Sequence, residues 1–131
     1  MLLQLDFQSE VPFYQQLRTQ IIAGVATGKL QPGEALPSVR QLAGDLGINM
    51  HTVNKTYNWL RQDGFIIIHR QKGAVIAEDS PGVSEQFLKR LQDDLRPLIT
   101  EAFGRGLTSR SLLEVCEAVY RQLQENGGNE R

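Results

Sequence analysis

Cysteine is almost absent from this sequence, which has Cys116 alone in 131 residues. One thiol cannot form an internal disulfide, and it supplies no cysteine cluster for zinc. The two histidines, His51 and His69, do not stand at metal-ligand spacing from it or from each other. The composition therefore excludes disulfide-stapled and zinc-ribbon folds, and we expect neither a metal nor a cofactor.

Long apolar runs are also missing. No stretch approaches the roughly 18 consecutive apolar residues that a membrane-spanning helix requires. The first residues, Met1 to Asp6, lack the basic start and the apolar core of a secretory leader. We therefore expect a cytoplasmic protein with no membrane partner.

No group of residues resembles a catalytic site. The neighbouring acids Asp93 and Asp94, like Glu114 and Glu117, are typical of solvated helix faces and not of an acid–base pair. No nucleophile is accompanied by a base and an orienting group. The sequence thus predicts a binding protein and not an enzyme.

The net charge of −1 is small, which argues against a protein that coats nucleic acid in general. Its distribution is uneven, however. Residues 38–77 carry five basic and two acidic side chains, or +3, whereas residues 78–131 carry seven basic and ten acidic ones, or −3. A polyanionic partner is therefore expected to meet the middle third of the chain.

Three amphipathic helices are predicted before residue 64. Apolar residues recur every four positions from Phe13 to Val25, which marks one buried helix face. Ser38 and Gln41 have the spacing of a capping box at the start of a second helix. After a tight turn, Asn49 is a suitable N-cap for the third helix, which we expect to end at about Asp63.

A β-hairpin is predicted directly after these helices. The β-prone runs 65–69 and 74–77 flank a short polar connector, Arg70 to Gly73. A β-hairpin with two apolar strands and a basic tip is typical of the wing of a winged helix-turn-helix. Ser38 to Leu60 has helix-turn-helix proportions, so the predicted fold class is α+β, with a winged helix-turn-helix over residues 1–78.

In a helix-turn-helix the second helix lies in the major groove of double-stranded DNA, with its first residues facing base edges. Asn can bind adenine through two hydrogen bonds, and Thr offers a hydroxyl and a methyl group. Arg40 and Lys55 are expected to contact phosphates, and the basic wing is expected to touch phosphates or the minor groove. The predicted DNA contacts are Ser38, Arg40, Asn49, Met50, His51, Thr52, Asn54, Lys55, Arg70, Lys72 and Gly73.

Asp79 to Gly82 forms a clear break, and residues 79–131 are predicted to be a two-helix segment. A short appendage cannot bury two apolar stripes by itself. Pairing with a second copy would bury them, and a small-molecule pocket is the alternative. We favour dimerisation through these apolar positions: Leu91, Leu95, Ile99, Phe103, Leu112, Cys116, Val119, Tyr120 and Leu123.

Several short motifs together resemble the GntR family of transcription regulators. They are Leu36-Pro37-Ser38-Val39-Arg40-Gln41-Leu42-Ala43, Leu46-Gly47-Ile48-Asn49, Thr52-Val53 and Asp63-Gly64-Phe65-Ile66. The resemblance covers about residues 10–77. Leu5-Asp6-Phe7, the run from Val11 to Leu17 and the short C-terminal part are similar to the YtrA-type subgroup.

This resemblance implies a homodimeric repressor on a palindromic operator, often that of a nearby transporter operon. Effector-binding subgroups carry much larger C-terminal domains, so no small-molecule effector is expected. Many members have Arg at the position of Met50 and a glycine at that of Gln71, so no operator sequence is carried over. The alternative to DNA binding is a winged-helix module that binds protein.

Overall fold

The structure is a computed structural model and describes residues 3–128. The chain forms two compact units, one that ends at Pro81 and one from Gly82 to Asn126.

The first unit contains three helices, α1 (Phe13–Thr27), α2 (Val39–Leu46) and α3 (Met50–Asp63). The N-termini of α2 and α3 are each capped by a side chain. The hydroxyl oxygen of Ser38 accepts a hydrogen bond from the Gln41 amide, and Oδ1 of Asn49 accepts one from the His51 amide. These bonds satisfy amides that have no partner within a helix.

Two antiparallel strands, β1 (Ile66–His69) and β2 (Gly73–Ile76), follow α3. Ile66 lies opposite Ile76, and His69 lies opposite Gly73. The His69 side chain orders the tip, because its Nδ1 accepts hydrogen bonds from the amides of Gln71 and Lys72, each at 3.1 Å. The two strands form the predicted wing, and the winged helix-turn-helix fold class is confirmed.

The core of this unit is built from one face of each helix and from the base of the wing. Its members share an exposure below a tenth: Leu17, Ile21, Leu30, Leu36, Leu42, Ala43, Val53, Tyr57, Leu60, Ile66 and Ile76. Burial of a large apolar side chain stabilises a fold by about 1.5–3 kcal/mol. Because α3 contributes three of these side chains, its inward face is fixed and its other faces are left for contacts outside the core.

An ion pair also fixes α3 to α1. The Arg18 guanidinium lies 2.7 Å from the Asp63 carboxylate, and both side chains are largely shielded from solvent. The Thr56 hydroxyl lies 3.2 Å from the Tyr14 carbonyl oxygen and 3.1 Å from the Thr52 carbonyl oxygen, and its one proton is shared between them. Both contacts set the orientation of α3 relative to the rest of the unit.

Two glycines of the helix-turn-helix should respond in opposite directions to substitution by alanine. Gly47 ends α2 at φ +71°, where an added Cβ is strained, so Gly47→Ala should lower the free energy of unfolding by about 1 kcal/mol. Gly44 lies inside α2, and an added Cβ there would meet no atom within 4 Å. Gly44→Ala should therefore raise the free energy of unfolding by about 0.5–1 kcal/mol. Urea unfolding of both variants tests the pair, and equal effects would contradict it.

The second unit contains α4 (Glu85–Gly104) and α5 (Ser109–Gly128). Ser84 caps α4, and the Thr108 hydroxyl accepts a hydrogen bond from the Ser111 amide at the start of α5. Helix α4 continues through Pro97. Among the described residues, α4 and α5 do not pack side by side, and no side chain from Gly82 to Asn126 is buried. No helix over residues 3–128 is both long and apolar enough to cross a membrane.

Candidate nucleic-acid interface

The start of α3 presents most of the predicted reading residues on an open surface. Met50, His51, Asn54 and Lys55 are exposed, whereas Thr52 is half-buried at the flank of the helix. The side chain of Asn49 is already engaged as the cap. Asn54 therefore offers its amide group most directly to an outside partner.

The start of α2 adds two of the predicted contacts. Ser38 and Arg40 are both exposed. The Ser38 oxygen accepts the capping hydrogen bond, so its hydroxyl hydrogen can still donate to a partner. A helix N-terminus also carries partial positive charge, which favours a phosphate nearby.

Lys55 is held against the α1 side of α3. Its Nζ lies 3.8 Å from the centroid of the Tyr14 ring and 5.8 Å from that of the Trp59 ring. The two rings meet edge to face at 5.2 Å. Trp59 is 36% exposed, so this aromatic pair lies at the edge of the core and supports the charge of Lys55 through cation–π attraction.

A groove of about 250 Å³ lies between α3, the start of α2 and the wing, and we call it the α3–wing groove. The described residues that line it include two cations, Arg61 and Lys72, and no acid. The described lining residues are Leu36, Pro37, Ser38, Val39, Asn54, Tyr57, Asn58, Arg61, Ile68, Lys72, Gly73 and Ala74. Ser38, Asn54, Lys72 and Gly73, which the sequence predicts as DNA contacts, are thereby brought to one surface.

Asn58, Arg61 and Ile68 line this groove but are not among the contacts predicted from the sequence. A helical signal was present for two of them, because Asn54, Asn58 and Arg61 recur at i, i+4 and i+7 and so share one face of α3. The position of Ile68 depends on how the wing packs, which local sequence does not show. Arg70 is exposed in the turn between the strands and does not line the groove.

Tyr57 is one of the residues that line the groove. Its hydroxyl donates to the Pro37 carbonyl oxygen at 2.8 Å, and the residue is 5% exposed. Burial raises the pKa of this hydroxyl well above its ordinary value. The neutral, donating form therefore ties α3 to the segment that leads into α2.

The raised pKa predicts a loss of stability in alkali. Above about pH 10 the unfolded chain releases the Tyr57 proton whereas the folded chain retains it. Because the folded state then holds more protons, the free energy of unfolding falls by about 1.4 kcal/mol per pH unit, while below that pH this contribution stays constant. The difference in unfolding free energy between wild type and Tyr57→Phe should therefore shrink from pH 9 to pH 11, and parallel pH profiles would contradict the prediction.

The side chains predicted for dimerisation are open to solvent or half-buried. Leu95, Phe103 and Tyr120 are 38%, 82% and 70% exposed. Cys116 is exposed too, and Leu112 is half-buried. No group of three or more metal-binding side chains occurs among residues 3–128.

Comparison with known proteins agrees with this architecture. A family model described as bacterial regulatory proteins, gntR family, matches residues 13–76. The HTH-type transcriptional repressor YtrA of Bacillus subtilis (strain 168) is 32% identical over 130 residues, which cover 98% of this chain and 100% of that protein.

Two solved structures are similar to this one. A transcriptional antiterminator from Listeria monocytogenes EGD-e gives a TM-score of 0.84 at 26% identity, over 95% of this chain and 93% of that one. AraR(DBD) in complex with operator ORX1 gives a TM-score of 0.51 at 25% identity, over 57% of this chain and 96% of that one.

The family match confirms the predicted transcription regulator and excludes the enzymatic alternative, since the curated relatives are HTH-type regulators. The full-length match to YtrA also confirms the subgroup resemblance. This chain belongs to the GntR family of bacterial transcription regulators and is of the YtrA type.

Proposed function

We propose that this protein is a homodimeric repressor that reads a palindromic operator in double-stranded DNA. Residues 1–78 would bind DNA and residues 79–131 would join the two copies. The observation that carries the proposal is the α3–wing groove beside the open face of α3, where hydrogen-bonding and cationic side chains meet and no described lining residue is acidic.

The reading surface is the first half of α3. Asn54 would contact base edges in the major groove, with Met50, His51 and Thr52 beside it. Arg40, Lys55, Arg70 and Lys72 would bind phosphates, which position the helix without reading sequence. Ser38, Asn49 and Gly73 would contribute at the helix starts and the wing tip. AraR, whose DNA-binding domain has a similar fold, is solved with its operator, which supports this mode.

The second unit supplies the reason for a dimer. In the described part of this two-helix segment no side chain is buried, so both apolar stripes are left largely uncovered. A second copy carries the same stripes and can cover them around a two-fold axis. We include no small-molecule effector, because this two-helix segment is much shorter than the C-terminal domains that the family resemblance implies for effector-binding subgroups.

Repression is the proposed direction of regulation, because YtrA of Bacillus subtilis carries the name of a repressor and matches the whole chain. Its place of action would be the bacterial cytoplasm, where the operator lies. Control of a transporter operon is the target that the subgroup resemblance implies.

Selection from a pool of randomised duplexes tests the proposal. A symmetric dimer should enrich two inverted half-sites whose centres lie one helical turn apart, ~34–36 Å or about 10 base pairs. Enrichment of one unrepeated half-site would contradict the dimer. Enrichment of no sequence would contradict operator reading altogether.

A further inference from the structure

The α3–wing groove has a geometric role that follows from the shape of DNA. A helix in the major groove and a wing in the adjacent minor groove are separated by one sugar–phosphate strand. The groove lies between these two elements and is lined by both. On the basis of the proposed function, we propose that this groove holds one DNA strand, with Arg61 and Asn58 as phosphate contacts.

The charges around the groove are complementary to a phosphodiester strand. Arg61 lies on its α3 side and Lys72 on its wing side, and none of the described lining residues is acidic. Asp63, two residues beyond Arg61, is paired with Arg18 at 2.7 Å on the side of α1. Positive charge is therefore placed on both walls, where it attracts a polyanion.

A row of polar side chains along α3 is also long enough to follow a DNA strand. Asn54, Asn58 and Arg61 lie in one row, which spans roughly 10 Å along the axis at 1.5 Å per residue. Phosphates of one strand follow each other at roughly 3.4 Å along the DNA axis. The row can thus face more than one phosphate, with Asn54 at the end that also reaches the bases.

Part of the groove lining is apolar and is suited to contact with deoxyribose. Ile68 is 59% exposed at the wing side, and Val39 and Pro37 lie on the α2 side. The Tyr57 hydroxyl already donates to the Pro37 carbonyl oxygen, so both of these polar groups have a partner. Sugar carbons can cover this apolar part of the lining without leaving the Tyr57 hydroxyl or the Pro37 carbonyl unpaired.

Arg61→Gln is the variant that tests the assignment, and Lys29→Gln is its charge-matched control. Lys29 is exposed after α1 and does not line the groove. Binding to the selected operator and to a scrambled duplex is measured by fluorescence anisotropy over a range of salt. Arg61→Gln should lower the affinity for both duplexes on the order of 10-fold at low salt. It should also reduce the slope of log K against log salt by about one. Asn58→Ala should lower both affinities by a smaller factor and hardly change their salt dependence, because it removes no charge.

A second readout separates contact from mere structure. A series of operators is made, each with one phosphate replaced by a neutral methylphosphonate. At one position the replacement should lower the affinity of wild type but leave the already reduced affinity of Arg61→Gln unchanged. This non-additivity marks a direct pair. Thermal unfolding of Arg61→Gln should match wild type.

The outcomes distinguish this inference from the proposed function. If wild type binds DNA with salt dependence but Arg61→Gln behaves like Lys29→Gln and is additive at every phosphate, the groove assignment is wrong and the proposed function stands. If wild type shows no salt-dependent binding, both are wrong.

Discussion

Leu95→Asp should convert the protein from a dimer to a monomer and weaken operator binding roughly 100- to 10,000-fold. Leu95 lies on the apolar stripe of α4 and is 38% exposed in the single chain. A carboxylate there would have to be buried unpaired when two copies associate, which is strongly unfavourable. In a dimer, binding of one DNA-binding unit holds the second unit at a high effective concentration near the other half-site. A monomer lacks this tethering, and its loss produces the large expected decrease in affinity.

Sedimentation equilibrium gives the mass of the variant, and anisotropy gives its operator affinity. Thr100→Asp is the matched control, because it adds the same charge to the polar face of the same helix. The control should remain a dimer with wild-type affinity. A Leu95→Asp protein that stays dimeric and binds the operator normally would show that α4 does not form the interface.

Asn54→Ala should remove most of the sequence preference at one position of each half-site. A bidentate contact between Asn and adenine discriminates by about 1–3 kcal/mol, or roughly 5- to 150-fold. The affinity for a scrambled duplex should hardly change, because base contacts contribute little there. Competition between the operator and its single-base variants measures the effect.

Lys55→Ala is the contrasting variant for this test. Lys55 lies beside the Tyr14 ring and is a proposed phosphate contact. Its loss should therefore lower the affinities for the operator and the scrambled duplex by the same factor and reduce their dependence on salt. If Asn54→Ala and Lys55→Ala both lowered the two affinities equally, α3 would not be the reading helix.

The sequence predicts those features of the fold that depend on neighbouring residues. The caps Ser38 and Asn49 are such features, because each bonds an amide two or three positions away. The wing was predictable for the same reason, since two short β-prone runs around a glycine-containing connector favour a hairpin.

Features that join distant segments could not be predicted in this way. The Lys55 ammonium lies on the Tyr14 ring only because α1 and α3 pack together. Arg61 and Ile68 line one groove only because the wing folds back beside α3. The periodicity of α3 indicates that Asn58 and Arg61 share a face with Asn54, but not what that face meets.

The most direct test of operator reading is a pair of anisotropy titrations, with the selected palindrome and a scrambled duplex, at about 50 and about 200 mM salt. A sequence-reading dimer should prefer the palindrome by about 1,000-fold or more, and both affinities should fall steeply with salt. Equal binding to the two duplexes, or affinities that do not change with salt, would contradict operator reading and favour a winged-helix module that binds protein.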